Sequence, residues 1–361
     1  MEIVEMIEKL KENYRNKKVF ITGHTGFKGS WLLAILKYLG AEVKGYSLDP
    51  DGEPSLYNLL NGNKLCQSVI ADIRNKEKLS KEIHAFQPDF VFHLAAQSLV
   101  RVSFDKPIDT FEINVLGTTY LLEAIRQLEK NCSVVIVTTD KVYENRETWD
   151  AYREDEPLGG FDPYSSSKAG AEIVTASYRK SFFAPDMYPY HRKAVATARA
   201  GNVIGGGDWA KDRIIPDLIR ALTSNKVLTV RNPNSIRPWQ HVLEPLAGYL
   251  WLAAHLQEDP QRFSGAFNFG PMEADNMRVR QLVEKSLEIW GSGQFKEQID
   301  PNAPHEAGIL RLDIAKVINE LQWKPKWDSE KALEMTLIWY KDFKNDPSAI
   351  TENQIIEYFS L

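Results

Sequence analysis

Two groups of polar residues have the types and spacing that proton-transfer chemistry requires. Thr139-Asp140-Lys141 directly follows the continuously apolar run 133–138, and Tyr164 and Lys168 come soon after it. A tyrosine and a lysine four positions apart share one face of a helix. The lysine ammonium stabilises the phenolate and lowers the tyrosine pKa towards the range of a general base. Their position after a buried strand with a polar end predicts an active site.

A glycine-rich turn provides a candidate cofactor site. It reads Gly23-His24-Thr25-Gly26-Phe27-Lys28-Gly29 and lies between a predicted strand and a predicted helix. Such a turn lets the backbone approach a pyrophosphate, which sits at the helix N-terminus. Asp49 ends the next strand, where a carboxylate accepts hydrogen bonds from ribose hydroxyls and repels a 2′-phosphate. The pattern predicts NAD rather than NADP, although a tight packing turn and a solvated Asp49 are the alternatives.

Later strand ends fit the same cofactor pocket. Asp72-Ile73 follows the third predicted strand, where an acid meets the adenine amino group, and Ala95-Ala96-Gln97 follows the fourth, where small residues let the chain lie against the cofactor. Within the turn, Lys28 either pairs with the pyrophosphate or points to solvent. We expect the first.

These residues need a parallel sheet to bring them together. Short apolar runs predict strands at 18–22, 42–48, 68–70, 89–94, 133–138 and 194–202, with helical spacing between them. This alternation indicates an α/β fold, a Rossmann-type doubly wound parallel sheet, with a smaller mixed α/β substrate-binding domain. We expect a cofactor domain over 1–190, with returning segments near 226–256, and a mainly substrate-binding domain over 191–361.

Composition excludes several other classes. The chain has 361 residues, of which 43% are hydrophobic, a formal charge of -5 and no basic stripe, so we expect no nucleic-acid partner. Apolar runs are too short for a membrane span, and the acidic amphipathic N-terminus is unlike a signal peptide. Cys66 and Cys132 offer no disulfide framework, which fits the cytoplasm. No histidine or cysteine cluster suggests a metal.

The chain resembles the nucleotide-sugar 4,6-dehydratases of the extended short-chain dehydrogenase/reductase family. The motifs that carry the resemblance span most of the sequence: GHTGFKGSWL, HLAAQ, NVLGT, TTDK, YSSSK, RAGNVIGGGDWA, RIIPD, RPWQHV and a late HEA segment. GHTGFKGSW together with TTDK is similar to the branch that acts on CDP-glucose. Lys141 stands where the wider dehydratase pattern has glutamate, which leaves the identity of the C5 base open.

The resemblance implies a mechanism for the first cluster. Tyr164 takes the proton of the sugar C4 hydroxyl while hydride passes to NAD, Thr139 hydrogen-bonds O4, and Lys168 binds the nicotinamide ribose. The C4 ketone then acidifies the C5 proton, so that Lys141 serves as base and Asp140 as acid for the departing C6 hydroxyl. Hydride returns from NADH to C6. The alternative for Asp140 and Lys141 is an exposed ion pair.

The resemblance also implies the substrate contacts and the assembly. Asn202, Arg213 and Arg237 match positions that contact the diphosphate or the sugar in relatives, and His305 matches a position near the nucleotide. Trp239 either stacks on a base or belongs to the core. The implied substrate is CDP-glucose, in deoxysugar and lipopolysaccharide biosynthesis, and the implied assembly is a homodimer or homotetramer. A dehydratase for another nucleotide sugar, a nucleotide-sugar 4-epimerase and a catalytically silent NAD-binding regulator are the rival functions.

Overall fold

The computed structural model describes residues 3–275, 277–298 and 309–360. Its centre is a seven-stranded sheet in the order β11-β6-β5-β4-β1-β2-β3, in which every neighbouring pair is parallel. These strands are β1 (Lys18–Thr22), β2 (Glu42–Ser47), β3 (Gln67–Ile70), β4 (Phe90–His93), β5 (Cys132–Val137), β6 (Lys193–Ala200) and β11 (Ala266–Phe269). The predicted α/β class with a doubly wound parallel sheet is confirmed.

Short strands outside this sheet form small two-stranded pairs. They are β7 (Val203–Ile204) with β10 (Gln240–His241), β8 (Leu228–Val230) with β13 (Phe295–Glu297), and β9 (Ile236–Arg237) with β12 (Met277–Arg278). The segment near 226–230 therefore pairs with β13 rather than with the main sheet. The division into domains over 1–190 and 191–361 stays a prediction.

Helices cover both faces of the main sheet. In the first half of the chain they are α1 (Ile3–Tyr14), α2 (Phe27–Tyr38), α3 (Leu56–Leu59), α4 (Lys76–Phe86), α5 (Val100–Asp105), α6 (Pro107–Phe111), α7 (Gly117–Arg126) and α8 (Pro163–Ser181). In the second half they are α9 (Tyr188–His191), α10 (Ile214–Thr223), α11 (Leu243–Glu258), α12 (Pro260–Phe263), α13 (Val279–Trp290), α14 (Ala315–Leu321), α15 (Ser329–Asp342) and α16 (Pro347–Ser360). None of the helices in the described ranges is long and apolar enough to cross a membrane.

The core consists of two layers, one on each side of the sheet. Strand β5 is buried along its whole length, as expected for a parallel strand covered on both faces. Helix α11, which includes the C-terminal part of the segment predicted to return to the cofactor domain, packs against β5 and β6. The strand order reverses at β1, because β2 lies on one side of it and β4 on the other. A crevice at the carboxyl ends of β1 and β4 is the expected ligand site.

Candidate active site

A large cleft lies at the carboxyl ends of the strands. Its volume is about 1300 Å³, and its lining comes from the glycine turn, the ends of β2, β4 and β5, helix α8 and the loops after β6. This exceeds the range of roughly 300–1,000 Å³ that is usual for a pocket holding one drug-sized ligand. The cleft therefore has room for two sizeable ligands side by side.

The glycine turn closes the cleft at the end of β1. Gly23 has a φ of +80°, and a Cβ atom there would lie 2.7 Å from the backbone nitrogen of Ala95. A Cβ on Gly29 would lie 2.1 Å from the carbonyl oxygen of Gly23, so neither position accepts a side chain without rearrangement. Helix α2 begins after Gly26 with neither a side-chain cap nor an acidic residue in its first turn. Its N-terminal N–H groups suit an anion.

The His24 side chain lies beneath the glycine turn rather than on the cleft wall. Its ring is fully buried, its Nε2 lies 2.8 Å from Ser68 Oγ, and it meets the Tyr57 ring edge-on at a centroid distance of 5.3 Å. A Cβ on Gly45 would lie 2.3 Å from the ring, so this glycine makes the space for it. Burial lowers the pKa of His24 to about 4. Because His24 is not among the residues that line the cleft, its side chain packs the turn onto β2 and β3, and a cofactor contact by this residue stays a prediction.

Phe27 and Lys28 line the cleft, and the Lys28 ammonium lies 5.9 Å from the centre of the Tyr249 ring. Burial lowers the pKa of Lys28 to about 7, and the nearby charges of Arg213 and Lys168 act in the same direction. Lys28 therefore faces other cations inside the cleft rather than open solvent. An anionic ligand would relieve this repulsion.

The acids predicted at the adenosine end occupy two different environments. Asp49 is exposed on the cleft wall just after β2, and Thr25 holds this strand end by donating to the Leu48 carbonyl at 2.8 Å. Asp72 also lines the cleft, but its carboxylate accepts from Arg74 at 2.7 Å, which holds the pKa of Asp72 below its usual value. The Asp72 carboxylate is thus already paired.

The segment after β4 brings Ala95, Ala96 and Gln97 to the cleft wall, and Ile73 lines the wall after β3. The Gln97 side chain turns back on its own loop, where Oε1 accepts from Leu99 N at 2.6 Å. Its backbone N–H donates to Asn114 Oδ1 at 2.9 Å, and Asn114 donates in turn to Ser167 Oγ at 2.8 Å. Asn114, a buried polar residue in a helical segment, links this loop to α8, and the sequence had not assigned it a role.

Thr139, Asp140 and Lys141 form a tight turn at the end of β5. Thr139 Oγ1 donates to Asp140 Oδ1 at 2.8 Å, and Lys141 Nζ lies 3.5 Å from the same carboxylate oxygen. Asp140 is only 1% exposed, whereas the Lys141 side chain is 28% exposed. Asp140 Oδ2 has no partner within the described ranges, and a Cβ on Gly201 would lie 3.2 Å from it. The pair is a shielded acid beside a partly exposed amine, not an exposed surface pair.

Tyr164 and Lys168 face this turn from α8. Asp162 caps the helix by accepting from Ser165 N at 2.9 Å, and both side chains of the pair are buried. The Lys168 ammonium donates to the Val137 carbonyl at 2.9 Å. Burial raises the pKa of Tyr164 to about 12, although a hydrogen bond with Thr139 acts in the opposite direction. The predicted lowering is therefore absent from this arrangement, because Lys168 is directed at the backbone of β5.

The opposite wall of the cleft includes Asn202, Arg213 and Arg237. Arg213 pairs with Asp208 at 2.9 Å and donates to Ser98 Oγ at 3.3 Å, so it bridges the loops after β7 and β4. Trp239 is 4% exposed and donates to the Met277 carbonyl at 3.0 Å, which makes it a packing residue. His305 lies outside the described residues. No group of three or more potential metal ligands occurs in the described ranges.

This combination defines a class of protein. The fold is that of a short-chain dehydrogenase/reductase. Its features are a parallel sheet with a glycine turn after the first strand, a cleft where the strand order reverses, and a Tyr-x-x-x-Lys helix that faces a polar strand end. Residues 20–336 match the family described as GDP-mannose 4,6 dehydratase. The chain belongs to this family.

Several relatives share nearly the whole chain. A CDP-glucose 4,6-dehydratase of Salmonella typhimurium is 47% identical over 352 residues, which cover 97% of this chain and 98% of the relative. A CDP-paratose 2-epimerase of Salmonella typhi is 26% identical and covers 89% of this chain and 98% of its own. Among solved structures, DesIV of Streptomyces venezuelae, a dTDP-glucose 4,6-dehydratase with NAD and TYD bound, superposes with a TM-score of 0.77 at 24% identity, covering 90% of this chain and 97% of that one.

Proposed function

We propose that this protein is an NAD-dependent hydro-lyase that converts CDP-D-glucose into CDP-4-dehydro-6-deoxy-D-glucose and water, in the cytoplasm, for deoxysugar biosynthesis. The observation that carries the proposal is the Asp140–Lys141 pair, which shares one cleft with Tyr164 and Lys168. Oxidation at C4 needs only the tyrosine and the lysine. A second acid–base pair beside them suits elimination between C5 and C6, and the full-length likeness to a CDP-glucose 4,6-dehydratase supports the substrate.

The residues of the cleft fit a dinucleotide. Gly23 and Gly29 leave the backbone bare at the N-terminus of α2, where a pyrophosphate would also meet the Lys28 ammonium. Asp49 would accept from the ribose hydroxyls, Asp72 and Ile73 would border the adenine, and the segment Ala95-Ala96-Gln97 would lie along the cofactor. Bound NAD supplies a positively charged nicotinamide that takes hydride from C4 of the sugar and returns it to C6.

Tyr164 and Thr139 serve the oxidation of C4. The Tyr164 phenolate accepts the proton of the C4 hydroxyl, and the Thr139 hydroxyl hydrogen-bonds O4 so that the C4–H bond is oriented. Because burial raises the pKa of Tyr164, positive charge must offset this effect before the phenol ionises. The Arg213 guanidinium acts to lower the pKa of Tyr164 and provides part of that charge.

Lys141 and Asp140 serve the elimination. The neutral amine of Lys141 takes the C5 proton, which the C4 ketone has acidified, while the protonated carboxyl of Asp140 gives its proton to the departing C6 hydroxyl. Transfer of one proton from the Lys141 ammonium to the Asp140 carboxylate, 3.5 Å away, converts the ion pair into this neutral amine and protonated carboxyl. The total number of protons in the site does not change. Lys141 then returns its proton to C5, and the proton held by Tyr164 passes to Asp140 to complete the cycle.

The wall opposite the glycine turn would hold the sugar nucleotide. A guanidinium group binds two oxygens of a phosphate at once, which suits Arg213 and Arg237 to the diphosphate. Asn202 lies on the same wall beside them. His305 remains a predicted contact to the nucleotide. The -5 formal charge of the chain cannot attract an anion, so these side chains and Lys28 must create the local positive field.

The assembly belongs to the same proposal. Helices α6 and α8 pack against each other, and both leave large apolar side chains in solvent: Ile108 is 74% exposed, Ile173 is 58% exposed and Phe111 is 41% exposed. Large exposed apolar side chains grouped on two neighbouring helices are typical of a protein–protein interface. We infer that a second copy of the chain covers this surface, giving a homodimer or, through a further contact, a homotetramer.

A substrate panel tests the function. The purified protein with NAD is incubated separately with the CDP, dTDP, UDP and GDP derivatives of glucose and with GDP-mannose, and the 4-keto product is followed by its alkaline absorbance. The proposal expects product from CDP-glucose at a rate at least about tenfold above the others, which corresponds to roughly 1.4 kcal/mol of discrimination. Product from another nucleotide sugar but not from CDP-glucose would refute the substrate assignment.

A further inference from the structure

Glu172 is a buried carboxylate that the mechanism above does not use. It lies on α8 one helical turn after Lys168 and is 3% exposed. Its Oε1 accepts a hydrogen bond from Thr138 Oγ1 at 2.5 Å. Its Oε2 accepts from Thr197 Oγ1 at 2.8 Å and from Arg199 Nη2 at 2.9 Å. A charged group this deeply buried, with both carboxylate oxygens hydrogen-bonded, holds a specific geometry.

The partners of Glu172 belong to the elements that carry the reacting groups. Thr138 directly precedes Thr139 at the end of β5, and Thr197 and Arg199 lie on β6, which leads to Asn202. Glu172 itself shares α8 with Tyr164 and Lys168. The Glu172 carboxylate therefore links three elements. They are the end of β5, which carries Asp140 and Lys141, helix α8, and strand β6, which leads to the substrate side of the cleft.

The Glu172–Arg199 pair also lies between two cavities. Thr138 and Tyr143 line the active-site cleft, whereas Glu172 and Arg199 line a second cavity of about 540 Å³. Arg199 Nη1 donates to the Tyr143 hydroxyl at 2.9 Å and to the Glu154 carbonyl at 3.1 Å. The pair therefore supports the end of β5 through the contacts of Glu172 with Thr138 and of Arg199 with Tyr143.

We propose that Glu172 is a positioning residue for the reaction, which fixes the end of β5 against α8 and keeps a negative charge beside Lys168 so that Lys168 stays an ammonium ion. This inference rests on the proposed dehydratase function. Glu172 touches neither the cofactor site nor the substrate site and acts through Thr138 and Lys168.

The charges around Lys168 favour this role. Burial lowers the pKa of Lys168 to about 8, and the Glu172 carboxylate acts in the opposite direction. The other groups that face Lys168 are Lys28 on α2 and His93 on β4. Burial lowers the pKa of His93 to about 3, so the His93 ring is neutral. Any charge on Lys28 is positive and opposes a second positive charge nearby. Neither therefore stabilises the Lys168 ammonium, which depends on the negative charge of Glu172 and on its hydrogen bond to the Val137 carbonyl.

The charges around Glu172 keep it ionised. Burial acts to raise its pKa, but the Arg199 guanidinium on β6 and the hydrogen bonds outweigh this effect, so that the pKa of Glu172 lies below its ordinary value. Arg179, on the same helix, also faces Glu172, and the carboxyl of Glu154 approaches Arg199 from the loop before α8. The negative charge beside Lys168 is therefore permanent over the working pH range.

The test is the pH profile of Glu172→Gln, which keeps the shape of the side chain and removes its charge. As pH rises, Lys168 in this variant loses its proton earlier than in the wild type. We expect the alkaline limb of kcat for CDP-glucose to move to lower pH by about one unit, which is about a tenfold loss at a pH above both limbs. KM for CDP-glucose should stay within about twofold, since no substrate contact is removed.

Two further variants separate charge from structure. Thr197→Val loses one hydrogen bond to Glu172 but keeps both charges, and we expect it to retain the wild-type alkaline limb. The double variant Glu172→Gln/Arg199→Met removes both members of the ion pair, so that the Arg199 guanidinium is not left buried without its counter-charge. It should show the same shifted limb as Glu172→Gln and a cooperative thermal transition.

A cofactor-binding measurement completes the test without turnover. Calorimetric titration of NAD into Glu172→Gln should show affinity declining at a pH about one unit lower than in the wild type, because Lys168 is the proposed nicotinamide-ribose contact. Wild-type positions for both the kcat limb and the NAD limb in Glu172→Gln and in the double variant would overturn the inference. Absence of wild-type turnover would instead refute the dehydratase function, and the NAD titration would still decide the role of Glu172.

Discussion

The carboxylate of Asp140 and the ammonium of Lys141 lie 3.5 Å apart at the end of β5, the first almost fully buried and the second partly open to the cleft. Neighbours in sequence on a regular strand point to opposite faces, so this contact exists because the chain turns sharply after Thr139. The turn gives one strand end both an acid and a base. Their proximity separates the proposed dehydratase from a simple C4 oxidoreductase.

Replacement of Lys141 by methionine should stop elimination and spare oxidation. The methionine side chain keeps the apolar stem but cannot accept the C5 proton, so turnover should fall by about 10²–10⁴-fold, the usual contribution of a general base. The reduced nicotinamide should then accumulate on the enzyme and is measured by its absorbance. Lys324→Met, at an exposed position away from the cleft, is the matched control. Normal turnover by Lys141→Met would show that Lys141 is not the base.

Tyr164→Phe should abolish the first step instead. Without the phenol, the C4 hydroxyl has no base, and we expect a loss of about 10²–10⁴-fold with no reduced nicotinamide formed. Because the base must be deprotonated and burial raises the pKa of Tyr164, wild-type kcat should rise with pH until Lys168 loses its proton. Tyr190→Phe, at a position 81% exposed, should behave as wild type. A wild-type kcat that fell with rising pH from neutrality would contradict this role.

Gly29→Ala should damage the cofactor site. The new methyl group would meet the Gly23 carbonyl at 2.1 Å, and forced overpacking of this kind costs about 1–3 kcal/mol. We expect a lower melting temperature and a weaker calorimetric NAD affinity. Gly265→Ala is the matched control, because its nearest neighbour would be the Lys316 ammonium at 3.5 Å, an ordinary contact. Unchanged NAD affinity in Gly29→Ala would place the pyrophosphate elsewhere.

The buried histidines predict how stability depends on pH. Burial lowers the pKa of His24 to about 4 and that of His93 and His241 to about 3, whereas an unfolded histidine titrates near 6.5. Between these values the unfolded chain binds more protons, so the free energy of unfolding decreases as pH falls from about 6.5. Each histidine contributes a slope of about 1.4 kcal/mol per pH unit in its window.

Urea unfolding between pH 7 and pH 5 measures this slope. His24→Asn should lower it by about 1 kcal/mol per pH unit on average over this range relative to the wild type, whatever its effect on stability at pH 7. His191→Asn serves as the comparison, because His191 does not line the cleft. A slope equal to that of the wild type in His24→Asn would mean that His24 titrates normally in the folded protein.

Charged substitutions test whether a second copy of the chain covers the apolar surface on α6 and α8. Ile108→Glu combined with Ile173→Glu places carboxylates where the second copy is expected, and desolvation of unpaired charges should dissociate the assembly. Light scattering should then report a monomer, while the wild type is a dimer or tetramer. Val227→Glu, at another exposed apolar position, should leave the assembly intact. A monomeric wild type would refute the proposed assembly.

The parts of the site that the sequence predicted are those that local pattern determines. Gly23 to Gly29, the turn at Thr139 and the Tyr164–Lys168 helix each follow a buried strand, and the ends of parallel strands meet at one edge. Strand β11 was not predicted, because its place beside β6 is decided by tertiary pairing between segments far apart in the sequence.

Side-chain direction was the less predictable part. His24 sits in the glycine turn, yet its ring fills space left by Gly45 and Tyr57, which belong to other elements. Lys168 was expected to act directly on Tyr164, but its ammonium donates to the backbone of β5. Glu172 has no sequence signal of its own apart from its spacing from Lys168. Its partners lie on β5 and β6, and only the assembled sheet brings them together.

The central claim is that one cofactor molecule takes a hydride from C4 and returns it to C6 of the same sugar. The most direct measurement uses CDP-glucose deuterated at C4, with the product examined by proton NMR and mass spectrometry. The account predicts CDP-4-dehydro-6-deoxy-D-glucose with the deuterium in its C6 methyl group. Release of the deuterium to solvent, or its retention at C4 of a product that keeps its C6 hydroxyl, would contradict it.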